Sequence, residues 1–173
     1  MNRELIGLAE NPPLYSAKFT LEFQGGEIEV TKPVRYRWVD RQRGELTRPV
    51  AIVPAVALGL AARSLVFATP TARSVEVRVK SVHSDEKGTV RVSVPAGWMA
   101  EPVAQPFHFS QPGQESALEF RITPPTGDSQ GNLQTIATLN GREITSETQL
   151  IDYQHIPPEF LFPPARAKLV RAY

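Results

Sequence analysis

The chain contains no cysteine. That excludes a disulfide framework, a thiolate metal site and a cysteine nucleophile. At 173 residues it is long enough to bury a core without such staples, so the missing cysteine does not fix a compartment. No apolar run reaches the roughly 18 residues of a membrane-spanning helix. The longest stretch, Val50 to Leu60, is interrupted by Pro54. Neither sign of charge is in excess: 19 Lys and Arg face 18 Asp and Glu, for a net charge of +1. Nucleic-acid binders show a basic surplus on one face, so no nucleic-acid partner is expected, and no membrane span. Helical periodicity is nearly missing. Asn2 to Glu10 suggests a short helical turn that Pro12-Pro13 stops. The opening MNRELIGLAENPP is too short and too acidic for a signal peptide; secretion would need a signal outside this chain.

Catalytic motifs are missing as well. There is no Gly-x-Ser-x-Gly elbow and no glycine-rich phosphate loop; Gln24-Gly25-Gly26 reads as a hairpin turn. The three histidines, His83, His108 and His155, are far apart, without the close spacing of a zinc site. Asp and Glu mostly alternate with apolar residues, which places them on solvent faces rather than in a catalytic pair. No cofactor or metal is expected, and the chain itself is not expected to be an enzyme.

What is present is a period of two. Hydrophobic content is 41%, with 16 prolines and 11 glycines, a composition of short strands and turns. Phe19, Leu21 and Phe23 alternate with polar residues, and Ile28 and Val30 answer them across Gly25-Gly26, predicting a β-hairpin. Val34, Tyr36 and Trp38 share one face of the continuing run, and Asp40 to Glu45 reads as a charged loop. Alternation returns at Val56–Leu60, Ser64–Ala68, Val75–Val79, Val90–Val94, Phe107–Phe109 and Leu118–Ile122. A last hairpin, Leu133–Leu139 with Ile144–Tyr153, turns at Asn140-Gly141. About seven short strands between Pro49 and Tyr153 predict an all-β, immunoglobulin-like antiparallel β-sandwich. The expected division is 1–48, a hairpin segment from a partial or docked second Ig-like unit; 49–155, the sandwich; and 156–173, a C-terminal extension. The extension has too many prolines for a central strand, and its Arg166–Ala172 end is read as an edge strand or a lead into a following domain.

Aromatic residues supply the candidate ligand contacts. A sugar face suits an exposed ring with hydrogen-bonding groups beside it. Trp98, in the turn Pro95-Ala96-Gly97-Trp98, is the first candidate, with Tyr153 and His155 from Asp152-Tyr153-Gln154-His155 as further sugar contacts. The preferred competing reading folds Trp98 over the open end of the sandwich as a cap. For His155 it is a hydrogen bond fixing the exit of the last strand. Trp38 reads as core or as an interface with another domain.

Two segments carry a resemblance. Gly88–Pro124 has a strand before Pro95-Ala96-Gly97-Trp98, then Pro102, the Phe107-His108-Phe109 strand and the Gly113-Gln114-Glu115 turn. It resembles the small Ig-like (NPCBM-associated) domain that accompanies carbohydrate-binding modules in bacterial α-galactosidase-like proteins. PVRYRWVDRQRGELTRPVAIVP (Pro33–Pro54) and IDYQHIPPEFLFPPARAKLV (Ile151–Val170) are together similar to the region downstream of the catalytic domain in large bacterial PIG-L (LmbE-like) deacetylases. The resemblance runs from about residue 15 onward. Catalysis in that family implies a zinc-binding His-Pro-Asp-Asp motif on an α/β domain, and this chain contains neither. The resemblance therefore implies a non-catalytic accessory module, extracellular or periplasmic, partnered by other domains of a deacetylase-like parent. The alternatives are a carbohydrate-binding module with a glycan ligand and a protein- or domain-docking module.

Overall fold

The structure is a computed structural model, and it describes residues 12–153 and 158–172. The expected helical turn at Asn2–Glu10 and His155 lie outside the described residues. The chain divides into two compact units, Met1–Ile52 with Ile151–Glu159, and Val53–Leu150 with Phe160–Tyr173. All regular structure among the described residues is β.

The first unit contains two hairpins. Strand β1 (Ser16–Phe23) pairs with β2 (Gly26–Pro33), setting Phe19 opposite Val30 and Leu21 opposite Ile28. The two-residue turn uses Gly25 at φ 115°, a backbone conformation that a side chain rarely tolerates. Strand β3 (Arg35–Asp40) pairs with β4 (Gly44–Pro49) across a turn closed by Gly44 at φ 77°. The charged stretch read as a loop from Asp40 to Glu45 is thus only a turn. Leu46 and Arg48 face Trp38 and Tyr36 across the ladder. The alternation Glu45-Leu46-Thr47-Arg48 is too short and too charged to stand out as a strand before its partner is known.

The second unit is the sandwich. Its strands are β5 (Val56–Leu60), β6 (Ser64–Phe67), β7 (Arg73–Ser81), β8 (Glu86–Ser93), β9 (Met99–Glu101), β10 (Gln105–Phe109), β11 (Glu115–Thr123), β12 (Ser129–Leu139) and β13 (Arg142–Ile144), with β16 completing it. Before β16 (Arg166–Arg171), two short strands, β14 (Gln149–Ile151) and β15 (Glu159–Leu161), pair with each other. One sheet runs β5-β7-β11-β9 and the other β10-β8-β12-β16-β6, with β13 on β12. The first sheet has the spatial order of the ABED sheet of an immunoglobulin-like domain, and β8-β12-β16 that of its CFG sheet, with β10 added outside β8 and β6 beyond β16. The β6–β16 pair is parallel, and the ladders between the other named pairs of both sheets are antiparallel. Alternation explains the core directly. Val75, Val77 and Val79 from β7 and Leu118, Phe120 and Ile122 from β11 meet Val90, Phe107, Phe109, Leu133, Ala137 and Leu169 from the other sheet.

Two local features fix this geometry. The β12–β13 hairpin turns through Asn140 (φ 48°) and Gly141 (φ 75°), the paired positive angles of a type I′ turn. Its second strand ends at Ile144 rather than continuing to Tyr153. Gly88, central in β8, lies under the Phe107 ring and against the Thr138 carbonyl, leaving no room for a Cβ.

The tail differs from expectation. Arg166–Arg171 lies inside the sheet, between β12 and β6, rather than at its edge or beyond it. Proline density belongs to the stretch that ends at Pro164; from Ala165 onward Ala167 and Leu169 point inward and are buried, while Arg166 and Lys168 point outward. A strand without proline can occupy a central position.

Candidate functional site

Trp98 is 5% exposed. Its ring meets Phe67 edge-on at 5.2 Å, and its indole N–H donates to the Ser129 hydroxyl at 3.0 Å. Gly97 at φ 82° swings the chain so that the indole turns inward. A sugar platform must present a ring face, and at this burial Trp98 presents none. It caps the end of the sandwich core. Of its expected companions, Tyr153 is 60% exposed and belongs to the unit formed with the hairpins, while His155 is outside the described residues. Trp98 is thus a core residue rather than an exposed sugar-stacking ring.

The other histidines are at the surface. His108 points away from Phe107 and Phe109, as alternation requires, and its Nε2 lies 3.5 Å from the exposed Asp85 carboxylate. His83 lies in the turn after β7 and is exposed, its carbonyl accepting the Ser81 hydroxyl proton. Among the described residues, no three His, Cys, Asp or Glu side chains come close enough to hold a metal ion. No described helix is long and apolar enough to cross a membrane.

Long-range pairing builds a different site, invisible to motif reading. Glu147 is buried beside β5, bridged to Leu58, and its amide donates to the Pro163 carbonyl at 2.8 Å. Its carboxylate accepts two hydrogen bonds from Arg63, at 2.7 and 2.6 Å, a bidentate fork that fixes the guanidinium. Gln149 donates to the same carboxylate at 3.3 Å. The half-exposed Arg63 side chain borders a cleft of about 410 Å³ whose other walls are Asn132, Pro163, Pro164, Arg166 and Lys168. Every member belongs to the sandwich unit. Arg166 and Lys168 share the outer face of β16, and Asn132 sits directly opposite Lys168 on β12. Lys168 also donates its amide to the Arg63 carbonyl at 2.8 Å, which ties the two sides together. The prolines are held by the Ser146–Pro164 bridge and by the Arg166 amide on the Pro164 carbonyl. Among the described residues, no acidic side chain lines the cleft.

In the hairpin unit, Tyr36 and Trp38 stack at 5.6 Å, with the Arg48 guanidinium 5.1 and 5.7 Å from their ring centres. Trp38 is half-buried and Tyr36 exposed. On β1 and β2, Phe19, Leu21, Phe23 and Ile28 are each more than half exposed. The Asp40 carboxylate accepts the amides of Arg43 at 2.8 Å and Gln42 at 2.9 Å. These two backbone donors, Arg43 first, hold its carboxyl below the ordinary aspartate value.

No family model matches the chain, and no curated protein matches it. Among solved structures, it is similar to the native conformation of alpha-2-macroglobulin from E. coli, determined by cryo-EM, at 14% identity and a TM-score of 0.45. The match covers 85% of this chain and 9% of that one, so the chain spans only a small part of that protein's length.

Proposed function

We propose that the chain is a non-catalytic accessory module of a larger secreted, carbohydrate-active protein of the PIG-L-like deacetylase type. The sandwich serves as a spacer, and the hairpin unit docks onto another domain of the parent. The observation that carries this reading is the apolar face of the first hairpin. Phe19, Leu21, Phe23 and Ile28 are exposed side by side on a two-stranded ladder. Two strands alone are marginal in water, and a contiguous exposed apolar patch marks an interaction surface. The deacetylase parentage is supported by the segments Pro33–Pro54 and Ile151–Val170 and by nothing catalytic.

The purified chain, incubated with zinc and N-acetylated sugars, should release no acetate. Turnover abolished by a chelator overturns the accessory reading. Docking is tested by replacing Phe19 and Leu21 with Ser. The double variant should lose co-purification with the flanking domains of the parent protein; unchanged co-purification counts against the hairpin as the docking element.

The stacked pair Tyr36–Trp38 favours a second reading, glycan binding through exposed aromatics. Retention on a glycan array that disappears with Tyr36→Ala supports it; no retention on any glycan removes it.

A further inference from the structure

The geometry points to the cleft between Arg63, Asn132, Pro163, Pro164, Arg166 and Lys168 as a binding site for the carboxylate or sulfate of an acidic saccharide. Three observations carry it. First, the cleft gathers three cations, of which Arg63 alone has a counter-charge, Glu147. Arg166 and Lys168 make no ion pair among the described residues, although they stand two residues apart on one strand face. Like charges close together repel, and a bound anion relieves that repulsion. Second, Arg63 is pre-positioned. A guanidinium has five N–H donors in a rigid fork. The buried Glu147 carboxylate accepts from two of its nitrogens, and the half-exposed remainder borders the cleft. Preorganisation lowers the entropy cost of binding. Third, size and lining suit a sugar residue. The volume of about 410 Å³ lies in the range of ligand clefts, roughly 300–1,000 Å³. Asn132 supplies amide donor and acceptor capacity for hydroxyls, and the adjacent Pro163 and Pro164 offer rigid apolar wall.

Net charge gives no hint of this site, because it sums the whole chain, whereas the described residues that line the cleft carry three cations and no acid. The anionic half of the inference rests on the cleft itself. The saccharide half rests on the sugar-associated reading above.

The test is isothermal titration of the full chain with an oligogalacturonate, a chondroitin sulfate oligosaccharide, a neutral cello-oligosaccharide of equal length and polyphosphate. The acidic saccharides should bind, with amide shifts at Asn132, Arg166 and Lys168 in a parallel NMR titration. Affinity should fall as salt rises. Arg166→Gln and Lys168→Gln, both at exposed strand positions, should each weaken binding about tenfold, as expected for loss of one charge-assisted hydrogen bond, with unchanged thermal melts. Failure of both acidic saccharides to bind, or binding indifferent to both substitutions, overturns the proposal. Preference for polyphosphate overturns its saccharide half. Equal binding of the neutral oligosaccharide overturns the anion site while leaving the sugar-associated reading standing. The zinc and acetate assay decides the accessory reading independently of all these outcomes.

Discussion

In the sandwich, the run Ser74–Ser81 buries Val75, Val77 and Val79 against a second sheet. In the hairpin unit, the run Ala17–Phe23 has the same alternation and leaves Phe19, Leu21 and Phe23 in solvent. No described residue of the hairpin unit is buried. The period of two therefore specifies a strand and its two faces, and the partner sheet decides what the apolar face is worth. Alone, each hairpin rests on its ladder, its turn and a few surface pairs such as Lys18–Glu29 at 2.6 Å. Exposed pairs of that kind contribute about 0–1 kcal/mol.

Truncating an aromatic in each unit should give the largest difference between them. Trp98→Ala removes a buried ring, its edge contact to Phe67 and its hydrogen bond to Ser129. The expected loss is about 3–5 kcal/mol in a denaturant melt of the sandwich. Phe19→Ala should change the stability of the isolated chain by no more than about 0.5 kcal/mol, as for an exposed position. Equal losses would mean that the Phe19 face is covered in solution and that the contrast between units is false. The same burial makes Trp98→Ala a poor control for glycan binding, because lost binding would report unfolding.

The Arg63–Glu147 pair comes next. Arg63→Ala strands a buried carboxylate without its counter-ion, and a loss of about 3 kcal/mol is expected. Glu147→Gln leaves the more exposed partner and a side chain that still accepts hydrogen bonds, so its cost should be clearly smaller. Melts of the two variants at neutral pH test the asymmetry; equal costs would show that Glu147 is well solvated. A smaller effect, about 1–3 kcal/mol, is expected for Gly88→Ala, where the new methyl meets the Thr138 carbonyl and the Phe107 ring. An unchanged melting temperature would show that β8 can shift at no cost.

These sites also show what a linear reading reaches. The strands β5, β7, β8 and β11 were legible because Val, Leu and Phe alternate with charged, polar or small residues over several positions. The β12–β13 turn was legible from Asn140-Gly141 alone. Strand β9 was not, since Met99-Ala100-Glu101 is short and marked only by its pairing with Arg121–Thr123. The place of β16 depends on a parallel partner, β6, about a hundred positions earlier, and no local signal encodes that. The cleft was hidden for the same reason. Arg63 and Glu147 lie 84 positions apart, and nothing local to the tail shows that Arg166 and Lys168 stand beside Arg63. Trp98 was conspicuous in sequence for its turn, and that turn is what buries it.

The smallest effect probes what holds a hairpin that has no core. Asp40 is partly exposed, and its carboxylate organises the β3–β4 turn by accepting the Arg43 and Gln42 amides. Those donors favour the charged form and lower the folded-state value, so the unfolded chain binds the proton more readily. The stabilisation is present above the ordinary aspartate value and is lost as pH falls through the lowered one. Carboxyl NMR titration should place Asp40 below ordinary aspartates, with the Gln42 and Arg43 amide shifts following the same curve while the sandwich amides of β7 and β11 stay still. A folded-state value at or above the ordinary one would show that the turn is open in solution. Movement of β7 and β11 with the same midpoint would show that the hairpin and the core titrate as one body, which would remove the contrast between locally held and core-held strands.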